Sequence, residues 1–157
     1  MSGSIRVVHL ITSLNRGGAE MSLVRLLNHD HDSYKDVWVV ALIGSGGLSA
    51  EILAANVKVF QLRLDSPLGV ARFFRFLWSF VIEQRHSNAT VLVCWMYHSC
   101  VLGMFFKILA LGRLRLIWNV RQCLGDVANE SRSSRVCLAL MRCFYGVCDS
   151  LVSNSET

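Results

Sequence analysis

Short, nearly continuous apolar runs alternate along this chain with segments whose apolar residues recur at helical spacing, and the pattern repeats from one end to the other. The runs are Ser4–Thr12, Val37–Ile43, Val57–Leu62, Thr90–Trp95, Leu114–Val120 and Ser150–Val152. Between them lie helix-like stretches from Gly18 to about Asn28, Leu48–Ala55, Pro67–His86, about Ser99–Leu111 and Asn129–Gly146. A strand that is apolar along its whole length is one buried on both faces. Such strands alternating with helices predict right-handed crossovers and a parallel sheet covered on both sides, an α/β, doubly wound, Rossmann-like fold. At 157 residues the chain has the size of one domain, 1–157.

Hydrophobic residues make up 53% and charged residues 17%, against roughly 45–50% and 25% in an average soluble domain. The surplus needs a destination: an unusually complete core, a partner domain or a membrane face. A spanning helix is not the answer. Val91–Leu111 has the length, but His98, Ser99 and Lys107 interrupt it, and its first part, Val91–Trp95, reads as a strand. The Pro67–His86 helix is the stronger candidate. On a wheel, Arg72, Arg75, Ser79, Glu83 and His86 fall within about 80°, and most of the rest is Val, Leu, Ile, Phe and Trp. Covering a sheet takes an arc of roughly 100° or somewhat more, so part of this surface is expected to face something beyond its own core. Arg72, Phe73, Arg75 and Trp78 are the candidates for contact with a membrane surface, arginine beside aromatic rings being the interfacial pattern. An inner helix covered on all sides by neighbours is the competing reading.

The net charge of +5 comes mostly from arginine, whose planar fork suits phosphate. Phosphorylated substrates and anionic headgroups fit that balance. Nucleic acid does not, because the arginines are scattered between apolar runs and form no basic block. Six cysteines (Cys94, Cys100, Cys123, Cys137, Cys143, Cys148) form no C-x-x-C pair and no zinc spacing. They read as buried free thiols, and with no secretory signal before the first strand they point to a cytoplasmic setting. No metal and no cofactor is expected.

In a doubly wound sheet, ligands bind at the carboxyl ends of the strands. After the first strand comes Ser13-Leu14-Asn15-Arg16-Gly17-Gly18-Ala19-Glu20. Two glycines let the backbone approach a ligand, and the following helix offers free N–H groups to a phosphate; a plain tight turn is the bland alternative. G-x-G-x-x-G and G-x-x-x-x-G-K-[ST] are both absent, which argues against a nicotinamide site and a P-loop. His98 follows the fourth strand, as a general base or oxyanion ligand or simply as a capping residue. Asn119 and Arg121 close the fifth strand, Arg121 either holding a phosphate or sugar hydroxyl or pairing with Asp126 or Glu130.

Three segments resemble one known family. Val7-Val8-His9-Leu10-Ile11 through Leu14, with Gly17-Gly18-Ala19-Glu20 and Leu23–Leu27, is similar to the opening of the family 4 retaining glycosyltransferases of the GT-B fold. Ile117-Trp118-Asn119-Val120-Arg121 resembles the fifth-strand motif of its bacterial surface-polysaccharide members, and Leu151-Val152-Ser153-Asn154-Ser155-Glu156 their sixth strand. The resemblance implies a two-domain enzyme of which this chain is the amino-terminal, acceptor-side half. The carboxyl-terminal domain, which binds most of the nucleotide-sugar donor, is absent from these 157 residues. It implies metal-independent transfer to a lipid-linked or saccharide acceptor, at the cytoplasmic membrane surface. By the same resemblance Gly17, Gly18 and Arg16 lie at the donor diphosphate, His98 lies near the reacting sugar as the catalytic candidate, and Arg121 and Asn119 line the cleft or acceptor side. A catalytically inactive module that binds a membrane or partner protein is the alternative.

Overall fold

The computed structural model describes residues 5–29, 36–44, 47, 57–86, 90–111, 113–120 and 131–153. Six strands, β1 (Arg6–Ile11), β2 (Asp36–Ala41), β3 (Lys58–Gln61), β4 (Thr90–Trp95), β5 (Leu114–Val120) and β6 (Ser150–Ser153), form one sheet in the order β3-β2-β1-β4-β5-β6. Every pairing is parallel. Four helices flank it: α1 (Gly18–His29), α2 (Pro67–His86), α3 (Met96–Leu109) and α4 (Arg132–Cys143). The doubly wound α/β fold expected from the alternation is therefore present. The short helix expected at Leu48–Ala55 lies outside the described residues.

Alternation of side chains along each strand divides the interior into two cores. On one face Ile11, Val39 and Trp95 pack with Leu23, Val24 and Leu27 of α1. On the other, Val8, Leu10, Leu92 and Leu116 pack with Phe80 of α2, Met104 and Phe106 of α3 and Met141 of α4. The second core is rich in aromatic rings. Phe106 stacks on Phe73 with centroids 6.1 Å apart and lies 5.5 Å from Phe80. Here α3 approaches the sheet closely at Gly103, where an added Cβ would stand 2.3 Å from Cys94 Sγ and 3.0 Å from a Leu116 methyl.

Polar contacts pin the helices at two places. Arg6 Nε donates to Asp36 Oδ2 at 2.6 Å, its Nη1 lies 2.7 Å from Glu83 Oε1, and its guanidinium sits 4.3 Å from the centre of the Trp38 ring. This joins α2 to β1 and β2 and turns Glu83 towards the sheet. At the other side Asp149 Oδ2 accepts from Lys107 Nζ at 2.5 Å and from the Leu116 N–H at 2.6 Å, linking α3, β5 and the entry to β6.

Several element ends differ from the sequence reading. The first strand is shorter than Ser4–Thr12, and the second begins one residue early, at Asp36, whose carboxylate is taken up by Arg6 and by Trp38 Nε1 at 2.7 Å. α4 begins at Arg132, where Ser131 Oγ caps the Ser134 N–H at 3.1 Å, and stops at Cys143, with Tyr145–Val147 forming a separate 3₁₀ turn. The expectation of buried thiols holds for Cys94 and Cys100 only. Cys137 and Cys148 are half-buried and Cys143 is exposed, because it falls on the outer arc of α4; Cys123 lies outside the described residues.

Candidate functional site

The strand order reverses between β1 and β4. From β1 the chain moves outward through β2 to β3, then returns to pair β4 along the opposite edge of β1. Where the connections after two adjacent strands run in opposite directions, doubly wound proteins bind ligands at the carboxyl ends of those strands. The last full row across the sheet is Gln61, Ala41, Ile11, Trp95, Asn119 and Val152. The Gly17-Gly18 turn and the start of α3 therefore flank the position where this topology puts the ligand crevice.

On the β1 side the described chain passes from Ile11 through residues 12–17 into α1. Gly17 accepts the first helical hydrogen bond, from the Met21 N–H at 3.0 Å. A Cβ on Gly17 would lie 2.5 Å from Glu20 Oε2, whereas one on Gly18 would meet nothing within 4 Å. Gly17 thus gives room to a carboxylate, and Gly18 leaves backbone open to approach. Glu20 Oε1 accepts from Ser13 Oγ at 3.3 Å. A carboxylate in the first turn is favourable for the helix, but it puts a negative charge beside the amide groups that would meet a phosphate. Arg16, exposed two residues before Gly18, is the described cation nearest in sequence to offset it.

On the β4 side there is no loop. Helix α3 starts at Met96, three residues before the expected Ser99, directly from Trp95. The turn is made by Met96 at φ +69°, a conformation rare for a residue with a side chain. Trp95 offers no side-chain cap, and instead Ser99 Oγ, fully buried, bonds to the carbonyls of Trp95 and Met96, the latter at 2.9 Å. His98 lies half-buried in the first turn of α3.

Beneath this crevice is a histidine whose place in the apolar run gave no sign of a partner. His9, in the middle of β1, is 3% exposed, and its Nδ1 accepts from Trp95 Nε1–H at 3.2 Å. With Nδ1 accepting, the ring proton is on Nε2. Burial pushes the His9 pKa down from 6.5 to about 4, so the ring is neutral and acts as a fixed acceptor that orients Trp95. Thr12 Oγ1, one residue beyond β1, is buried without a hydrogen-bond partner.

The remaining expected residues separate into groups. Asn119 is buried beside Trp95 in the last row. Arg121, with Asp126 and Glu130, lies outside the described residues, as do Asn154, Ser155 and Glu156. Arg72, Arg75 and Trp78 are exposed on α2, while Phe73 turns inward onto Phe106. No group of three metal-ligating side chains occurs among the described residues, and no described helix is long and apolar enough to cross a membrane. Neither a protein-family model nor a curated protein matches the chain. Met96 and the His9–Trp95 bond escaped the sequence reading because nothing in a methionine or in an apolar run marks a positive φ or a partner 86 residues away.

Proposed function

We propose that this chain is the acceptor-side domain of a retaining, nucleotide-sugar-dependent glycosyltransferase in surface-polysaccharide or glycolipid synthesis. The observation that carries the reading is the switch point between β1 and β4, with the glycine turn following β1 and the strained Met96 turn and His98 following β4. An open backbone at Gly18 suits the approach of a diphosphate. Arg16 supplies a cation beside it, His98 stands at the edge for the reacting sugar or its acceptor, and Asn119 continues the lining toward β5. Transfer in such a two-walled cleft requires a carboxyl-terminal domain to hold most of the donor. The acceptor is lipid-linked or a saccharide, and the domain works at the cytoplasmic face of a membrane without a metal.

The test is a titration of the isotopically labelled chain with a uridine diphosphate-sugar, followed by amide chemical shifts. Weak, millimolar binding with shifts confined to residues 13–20 and 96–99 is expected. Tight binding by this domain alone, or shifts clustered at the amino ends of the strands, overturns the reading. A non-catalytic, membrane-bound module is the second reading, favoured by the apolar outer faces of α2 and α3. It is the one left if neither nucleotide-sugar nor polyprenyl phosphate moves any crevice amide.

A further inference from the structure

Helices α2 and α3 lie on the same face of the sheet and share the core through Phe80 and Phe106. Their outward sides are apolar as well. Val70, Phe74, Trp78 and Ile82 follow one another at four-residue steps along the outer side of α2, and Trp78 is 72% exposed. On α3 the exposed residues are Phe105, Ile108 and Leu109, with Leu111 just beyond the helix end at 76% exposure. Leu111 is held out by a left-handed backbone, φ +53°, one of three such non-glycine residues described.

Between the carboxyl ends of the two helices is a cavity of about 330 Å³, lined by Val81, Leu109, Ala110, Leu111 and Arg113. It lies where the chain enters β5, at the opposite end of the sheet from the β1/β4 crevice. Its volume is within the range of small-molecule sites, roughly 300–1,000 Å³. Among the described residues its lining side chains are aliphatic apart from the Arg113 guanidinium. Arg113 is exposed and has no ion-pair partner among the described residues. On the described outer face Arg72 and Arg75 are exposed, and the nearby acidic groups are paired, Glu83 with Arg6 and Asp149 with Lys107.

An apolar cavity with one cation at its mouth, set in an apolar face edged by further cations, complements an anion carried on a hydrocarbon chain. We propose that this cavity seats one acyl chain of an anionic phospholipid, with Arg113 against the headgroup and the outer faces of α2 and α3 resting in the interface. The site rests on the peripheral-membrane reading and does not depend on sugar transfer.

Trp78 supplies the probe, because Trp38, Trp95 and Trp118 are buried. With the whole chain and vesicles of phosphatidylglycerol and phosphatidylcholine, the Trp78 emission is expected to shift to the blue and to be quenched by lipids brominated on the acyl chain. Vesicles of phosphatidylcholine alone are expected to bind at least tenfold more weakly. Monomeric short-chain phosphatidylglycerol is expected to bind one to one and saturably. Val81→Phe, which narrows the cavity, and Arg113→Glu are each expected to weaken the one-to-one binding at least tenfold without altering the thermal midpoint. If vesicles bind but the monomer does not saturate, or if both variants bind it as the parent does, the seat is refuted and membrane docking stands. If the parent chain ignores anionic vesicles at low salt, the docking reading and the seat fall together.

Discussion

Helices α1 and α2 cover opposite faces of one sheet and solve the same problem differently. On α1 the buried side chains are Leu23, Val24 and Leu27, and the outer side carries Arg25, Asn28 and His29 with a single large apolar residue, Leu26. On α2 the inner arc is just as apolar, with Phe80 buried and Phe73, Phe76 and Leu77 half-buried. Its outer arc repeats the chemistry with Val70, Phe74, Trp78 and Ile82 in solvent. The sheet asks for no more from α2 than from α1. The excess stands exposed among the described residues, and it accounts for part of the high apolar content.

That contrast can be broken experimentally. If only the inner arc of α2 supports the fold, Phe80→Ala should cost about 3–5 kcal/mol in urea unfolding. A much smaller loss would mean that the aromatic layer reforms around the gap. The α1 side has its own signature. The unfolded chain protonates His9 near pH 6.5 and the folded chain only near 4, so its contribution to stability is complete above pH 6.5. It is lost progressively as the pH falls to 4, by roughly 3 kcal/mol in total. His9→Asn should flatten the urea-midpoint profile across that window, and an unchanged slope would place the acid sensitivity elsewhere. Where α3 meets the sheet, Gly103→Ala should cost about 1–3 kcal/mol through overpacking against Cys94 and Leu116, read from the thermal midpoint. Smallest of all, Trp78→Ser should change stability by no more than about 0.5 kcal/mol while weakening vesicle binding. A large loss there would make the outer arc structural and close the difference between the two helices.

Periodicity was a sound guide where a residue's fate depends on its own neighbours. The six strands, the α2 span from Pro67 to His86 and the wide α2 arc were all legible, since continuous apolar runs and helical repeats are local properties. The glycine turn was legible for the same reason, as a pair of residues suited to tight geometry. What escaped were relations between distant segments. The inward turn of Phe73 depends on where Phe106 stands, and the start of α3 at Met96 depends on Ser99 closing the turn from the following helix. The cavity at Arg113 arises only when the ends of α2 and α3 are set side by side.

The Asp149 carboxylate ranks the parts of the sheet by how readily they open. All four residues of β6 are exposed, and the strand is joined to the rest through β5 and this acidic side chain just before it. Burial alone would raise the Asp149 pKa, but hydrogen bonds from Lys107 and the Leu116 N–H hold it below the ordinary 3.8. The latch contributes fully above 3.8 and is released as the pH falls through the lower value of the folded chain. In amide hydrogen exchange β6 should form the fastest-exchanging unit of the sheet, faster still in acid, while β1 and β4 exchange only on global unfolding.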